Sequence, residues 1–303
     1  MAIIITGASG NFGRATVNGL LERMPASELI LVTRDPAKLQ DLADRGATVR
    51  RGDFNDYESL VTAFAGGGKM LLISAMEVGK RIPQHRNAIE AAMAAGVGHV
   101  VYTSYAGKDG DNPSLAVVDH RATEAMLAQA PLDWTVLRNS QYTEAVIEAM
   151  APLALQRGRW IASAQEGQMA QVWREDCVAS AVAVLSTPGH RNTIYEISGP
   201  ELLSFREIAA IIADVAGRPI DYVPVDDEEM YAFFDSLGIP REAVADQSIG
   251  TVPWSSDDMV SVERAVREGY MAVISNDVEK LTGRKPKSIR QLAEARRAQL
   301  RAA

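Results

Sequence analysis

Cysteine is nearly missing from this 303-residue chain, where Cys177 stands alone. One thiol excludes an intramolecular disulfide framework and any zinc cluster built from cysteines, and it fits a reducing cytoplasm. Positive charge is also short, with 31 Lys and Arg against 39 Asp and Glu and a net charge of −8. Broad binding to nucleic acid or to an anionic membrane needs a concentrated positive surface, so neither is expected. A local basic pocket for a phosphate remains open. Long apolar runs are lacking too. The N-terminal M-A-I-I-I-T-G breaks after four apolar residues, which reads as a strand rather than a signal peptide or a membrane span. His85, His99 and His190 are scattered without metal-ligand spacing, so no metal site is expected.

What is present is an ordinary globular balance, 47% hydrophobic and 23% charged, in a chain long enough for a large domain with a smaller lobe. Short β-branched runs alternate with segments of helical period through the first 140 residues. Strands are expected at Ala2–Thr6, Leu29–Thr33, Thr48–Arg51, Met70–Ser74, His99–Thr103 and Trp134–Leu137. Helices are expected at Phe12–Arg23, Pro36–Arg45, Tyr57–Phe64, Pro83–Ala95 and Val117–Ala130. Strands that are apolar throughout and separated by helices give an α/β fold with a parallel, doubly wound sheet.

The rhythm changes after about residue 145. Helices are expected at Arg174–Leu185, Ser204–Ala216 and Asp227–Leu237, and strands at Thr193–Ile197 and Ile220–Val225. Ser204 and Glu207 form a capping box, and Gly217 ends the helix. Ile239–Asp257 reads as an irregular surface loop, and Ser288–Leu300 as a basic amphipathic helix with a solvated face. The division expected is residues 1–150 as a dinucleotide-binding domain and 151–303 as a substrate-binding lobe. A return strand near 193–198 would join the main sheet.

The chemistry begins at Thr6–Gly13, T-G-A-S-G-N-F-G, between the first strand and the first helix. Gly7 permits a tight turn, Gly10 lets backbone approach a pyrophosphate, and Gly13 lets helix pack close to strand. The phosphates then sit on free N–H groups at the helix N-terminus. This is the Rossmann fingerprint, with Thr6, Ser9, Asn11 and Phe12 as further contacts. An acidic residue at the end of the second strand would favour NADH, because it binds the ribose 2′-hydroxyl and repels a 2′-phosphate. Here the strand ends Thr33-Arg34, with Lys38 one turn on, which favours NADPH. Asp35 before Pro36 reads as a helix N-cap rather than a ribose ligand.

Ligands of such sheets lie beyond the carboxyl ends of the strands. Asp53 and Phe54 are therefore candidates for the adenine, Ser74 and Ala75 for the nicotinamide ribose, and Thr103, Ser104 and Tyr105 for the nicotinamide. For each, an ordinary strand-to-loop role is the competing account. Cys177 on its helix reads as a packed small residue. The acidic run Asp226–Glu229 reads as complementing a helix dipole. Trp160, Trp173 and Trp254 read as core or as pocket lining.

These motifs resemble the NmrA-like atypical short-chain dehydrogenases, whose landmarks match T-G-A-S-G-N-F-G, V-T-R-D-P-A-K, R-G-D-F, L-L-I-S, H-V-V-Y-T-S and W-T-V-L-R-N-S-Q-Y in order. Within that family the chain is most similar to the subgroup of bacterial NAD(P)H:quinone oxidoreductase type 2 and triphenylmethane reductase. M-P-A-S-E-L-I, L-L-I-S-A-M-E-V-G-K-R-I-P-Q-H-R-N and L-R-N-S-Q-Y-T-E carry that likeness, which covers nearly the whole chain.

Most short-chain dehydrogenases pair a tyrosine with a lysine four residues later. None of the eight tyrosines here has that lysine; the resemblance puts His120 at the lysine position and Ala116 at the tyrosine position. Reducing a simple ketone creates a basic alkoxide that needs a positioned acid, whereas a quinone or a carbocationic dye needs alignment above all. The expected activity is NADPH-dependent hydride transfer to a quinone or similar conjugated aromatic, with Tyr105, Asn139 and Tyr142 around the acceptor; His120 either holds the nicotinamide ribose as the lysine would or is a helix-surface histidine. Two alternatives stand beside it. One is an NADP-sensing regulatory protein without catalysis. The other is a reductase of a specific ketone or imine that takes its proton from Tyr105 or Tyr142. Whether the chain is a monomer or a homodimer stays open.

Overall fold

The computed structural model describes residues 1–244 and 255–303 and, between them, the backbone of residues 248–249 and 252–253. Strands β1 (Ala2–Ile5), β2 (Leu29–Thr33), β3 (Thr48–Arg51), β4 (Gly67–Leu72), β5 (His99–Tyr105) and β6 (Asp133–Asn139) alternate with helices. Those helices are α1 (Asn11–Leu21), α2 (Gln40–Ala43), α3 (Tyr57–Phe64), α4 (Arg81–Ala94) and α5 (Leu115–Gln129). Short segments follow: α6 (Thr143–Ala145), a π turn at Val146–Met150, α7 (Ala151–Arg157), β7 (Arg159–Ala162) and β8 (Gln168–Met169). Then α8 (Arg174–Ser186) leads into β9 (Thr193–Ile197).

The main sheet runs β3-β2-β1-β4-β5-β6-β9, with every neighbouring pair parallel. The expected return strand is therefore the seventh strand of the sheet, paired to β6 from Thr135↔Thr193 to Asn139↔Ile197. The order reverses between β1 and β4, and the crevice at such a switch point is where dinucleotides bind. Both faces are covered, as the apolar strands require. Ile5, Leu31, Val101 and Leu137 pack under α1 and α8 on one face, with Cys177 buried among them. Ile4, Met70, Val100 and Tyr102 pack under α3, α4 and α5 on the other.

The remaining elements are β10 (Leu203–Ser204), α9 (Phe205–Ala216), β11 (Asp221–Pro224), α10 (Asp227–Ser236), α11 (Ser256–Arg267), α12 (Asp277–Thr282), α13 (Ile289–Ala295) and α14 (Arg297–Ala302). Trp160, Ile208 and Ile212 anchor a separate core there. The capping box of α9 forms as read, and Gly217 takes the left-handed conformation that ends the helix.

Three expectations need correction. Pro36–Arg45 is not one helix: a 3₁₀ turn over Pro36–Leu39 precedes the single turn of α2, because Pro36 and the Asp35 cap start a tight turn. Ser288–Leu300 breaks at Arg296 into α13 and α14. Of the irregular stretch read over Ile239–Asp257, residues 245–247, 250–251 and 254 lie outside the described residues, and Ser248–Ile249 pairs antiparallel with Val252–Pro253. Its end, however, opens α11, where Ser255 caps the N–H of Asp258. Among the described residues no helix is long and apolar enough to cross a membrane.

Candidate active site

A parallel sheet brings all its strand ends to one edge, so loops far apart in sequence meet there. The glycine turn comes first. Gly7 sits at φ +58°, where a side chain would strain the backbone. A Cβ on Gly13 would lie 2.4 Å from the Gly7 carbonyl oxygen, so only glycine lets α1 dock this close. No side chain caps the first turn of α1, and no acidic residue lies in it, which leaves an electropositive helix end open at the switch point.

The other turn residues divide by role. The Thr6 hydroxyl donates to the Leu71 carbonyl and accepts from the Ile73 N–H, and so ties β1 to β4. Ser9 Oγ lies 2.8 Å from Thr33 Oγ1. Asn11 is exposed at the start of α1, and the Phe12 ring is buried in the core below. At the end of β2, Arg34 and Lys38 are exposed. Asp35 accepts from the Ala37 N–H and caps the turn as expected. Arg14, which sequence reasoning passed over, joins this corner: it pairs with Asp41 at 2.8 Å and donates to the Lys38 carbonyl.

Beyond β3, Asp53 Oδ1 accepts from the Asn55 N–H, and the Phe54 ring meets His85 edge-on at 6.2 Å. Beyond β4, the Ser74 N–H donates to Thr103 Oγ1 and the Ala75 N–H donates to His85 Nε2. Ser104 turns its hydroxyl to Glu124, inside a buried ion network with Arg138 and Arg121.

The four residues expected at the catalytic end meet in one corner. The Tyr105 ring lies 6.1 Å from His120, and its hydroxyl donates to Gln141 Oε1 at 2.6 Å. Asn139 is the register partner of Tyr105 on β6. It is 2% exposed, and neither its amide oxygen nor its nitrogen has a hydrogen-bond partner among the described residues. Buried polar atoms left this way mark a place for a ligand or water. Tyr142 is half-buried: its ring packs against the core that holds Cys177, under the guanidinium of Arg174, and its hydroxyl lies against the Asn139 side chain. Burial raises the pKa of both phenols, the opposite of what a neighbouring lysine does in a tyrosine–lysine pair. His120 is buried and neutral, its pKa held well below the usual imidazole range by burial and then by Arg81.

Sequence reasoning missed Arg81 and Asp258. Arg81 is fastened by its Nε to the Ala75 carbonyl at 2.7 Å, and its buried Nη1 has no partner among the described residues. Asp258 stands on the first turn of α11, where burial raises its carboxyl to a pKa of about 6. The spacing of Arg81 and His85, one helical turn apart, was a usable signal for the first; the second follows directly on the stretch read as loop, with no element expected there.

Residues outside the site behave as structure. His99 pairs with Thr135, and His190 with Thr187 and Tyr195. Burial pushes the Cys177 thiol well up. Asp226 caps α10, but Asp227 does more than complement the helix dipole, because it binds Arg264 and Arg267 of α11. Trp160 is core, Trp173 donates to the Ser288 carbonyl, and Trp254 lies outside the described residues. An open groove of about 470 Å³ is lined by Gln165, Asp226, Asp227, Glu228 and Arg267, all from the second lobe.

Comparison with known proteins bears on this site. The family described as NAD(P)H-binding matches residues 7–188. Quinone oxidoreductase 2 of Escherichia coli is 39% identical over 251 residues, 82% of this chain and 87% of that one. The crystal structure of the E. coli NADPH-dependent quinone oxidoreductase complexed with NADPH superposes with a TM-score of 0.87 at 34% identity, covering 97% of this chain and 99% of that chain. Citrobacter triphenylmethane reductase complexed with NADP(H) gives 0.83 at 31% identity, covering 97% and 98%.

Proposed function

Because the chain belongs to the NAD(P)H-binding family and has NmrA-like relatives, we propose that it is an NADPH-dependent reductase of quinones or similar conjugated aromatic acceptors. The observation that carries this reading is one edge of the sheet. It combines an uncapped glycine turn, an exposed Arg34 in place of an acidic residue, and an acceptor end without a readied acid.

The residues fit the cofactor. The backbone of Gly7–Gly13 and the α1 N-terminus would hold the pyrophosphate. Arg34, with Lys38, would hold the 2′-phosphate, and the unpartnered amide of Asn139 would take up polar groups at the nicotinamide end. NADPH supplies a hydride when bound. Tyr105 and His120 supply hydrogen-bonding surface, and neither supplies a charge. That suits an acceptor whose reduced form is stabilised by its own conjugation. Residues 151–303 are proposed as the substrate lobe, in a cytoplasmic protein. The E. coli and Citrobacter relatives, named for quinones and triphenylmethane dyes, support the same class of acceptor.

The test is a panel of acceptors (a quinone, a triarylmethane dye, an azo dye and a simple ketone) followed by NADPH absorbance. Turnover with conjugated acceptors and little with the ketone is expected. NADPH binding without oxidation by any of them would replace the enzyme with a regulatory sensor.

A further inference from the structure

Behind the acceptor end of the site, two histidines and a tyrosine are linked in a way that sets where their protons lie. His85 Nε2 accepts the Ala75 backbone N–H at 2.9 Å. Burial lowers the pKa of His85 to about 3, so its neutral ring carries its one proton on Nδ1. That proton goes to Thr123 Oγ1 at 2.9 Å, and the Thr123 hydroxyl in turn donates to the Asp119 carbonyl. The Tyr102 oxygen, 3.4 Å from the same Nδ1, finds no acceptor there. His120 Nδ1 lies 2.6 Å from the Tyr102 oxygen, a shorter contact than that to His85, and Thr123 Oγ1, already taken up by His85, is the other group beside the phenol. With Tyr102 donating across this short contact, His120 accepts at Nδ1 and carries its proton on Nε2. Among the described residues no hydrogen bond reaches that Nε2, and it is not one of the fully sealed polar atoms.

We propose that His85 and Tyr102 are positioning residues that hold His120 as a neutral Nε2–H donor for a hydroxyl oxygen of the nicotinamide ribose. The proposal rests on the reading of the chain as an NADPH-dependent reductase. It gives the His85–Tyr102–His120 chain a purpose beyond packing. A cationic lysine holds a ribose and also acidifies a neighbouring phenol. A neutral imidazole locked in one tautomer can do the first without the second. The donor is set from the β4 loop: the Ala75 N–H orders His85, and the order passes through Tyr102 to His120. The same loop holds Ser74 and Ala75 at the end of β4, so the backbone expected along the ribose also sets the tautomer of its partner.

The decisive measurement is the two-bond proton–nitrogen correlation of histidine-labelled protein, with His120 assigned by its loss in His120→Gln. The resting protein should show His120 with Nδ1 bare and Nε2 protonated. The opposite tautomer, or a doubly protonated ring at neutral pH, overturns the proposal. Tyr102→Phe should release His120 to a mixture of tautomers; an unchanged spectrum also counts against it.

Two ligands separate this idea from the cofactor reading. Adenosine 2′,5′-bisphosphate, which lacks the nicotinamide half, should bind wild type and leave the His120 signals in place. NADPH should shift Nε2. If both ligands bind and neither moves Nε2, the role of His120 fails and the cofactor assignment survives. If neither binds, the assignment itself fails. His120→Leu should weaken NADPH about tenfold, the scale of one lost neutral hydrogen bond, with the bisphosphate unaffected. His120→Gln, which keeps an N–H donor at similar reach, should recover most of that loss. Equal loss in the two variants points to a purely structural ring and refutes the proposal.

Discussion

Arg34 stands exposed at the carboxyl end of β2, and the neighbouring Asp35 spends its carboxylate on the Ala37 N–H. The acid next to Arg34 is thus engaged in starting a turn, as Asp41 is engaged by Arg14, and Arg34 stays exposed. A charge-assisted contact to a phosphate is worth about 1.5–3 kcal/mol, and an acid in its place adds repulsion. Arg34→Glu should therefore weaken NADPH on the order of a hundredfold and change NADH by a few-fold only. Fluorescence titration of both cofactors would show it, and equal losses would remove Arg34 from the 2′-phosphate site. His120 makes the complementary point at this scale. Its place in the sequence indicates a substituted lysine; its protonation follows from Tyr102 and His85, neither of which is its sequence neighbour.

At the scale of elements, helix α1 is the part of the site most exposed to small changes. It meets the β1 turn with no room at Gly13, where a Cβ would also lie 2.8 Å from Ala8 Cα. Backbone atoms cannot yield as a side-chain end can, so Gly13→Ala should push the helix outward. Loss of NADPH binding together with a lower melting temperature is expected. A variant that binds as wild type would show that the close approach is not needed. Helix α11 illustrates the converse difficulty. It packs on α5, is tied to α10 through Asp227, and brings the Asp258 carboxyl close enough to act on the Tyr105 phenol. In sequence it follows prolines and scattered polar residues, and its amphipathic pattern was hidden by that punctuation. The inner strands were legible because a buried parallel sheet demands continuous apolar runs, as in β2; the partly exposed edge strands β3 and β9 also match their expected limits, through β-branched residues between turn signals.

Across the whole molecule, buried titratable groups couple stability to pH. Glu263 of α11 is buried with its carboxylate on the N–H and hydroxyl of Ser163, and burial raises its pKa from 4.5 to about 7. Between those values the folded chain keeps a proton that the unfolded chain has released. This contribution to stability is therefore full below pH 4.5 and is lost as pH rises to about 7. His85 acts in the other direction: the unfolded ring takes a proton that the folded one refuses down to about pH 3, so its contribution is lost as pH falls. Glu263→Gln removes the first effect alone. The melting temperature of the variant relative to wild type should climb from pH 4.5 to about 7 and then level off. A flat difference would mean that Glu263 titrates normally.

The sequence by itself determined the parallel sheet, the glycine turn and the basic residue after β2. Each is a local matter of apolar runs, of backbone freedom, or of a charge next to a strand end. It also excluded a tyrosine–lysine pair, since that depends on spacing along one helix. Tertiary structure decided which side chains meet. Asn139 has no geometric hydrogen-bond partner among the described residues yet lies between Tyr105 and Tyr142, and Arg81 and Asp258 are brought towards one place from distant helices. It also set the proton of His120, because hydrogen bonds between residues 75, 85, 102 and 120 exist only once the β4 loop, β5 and the two helices have packed.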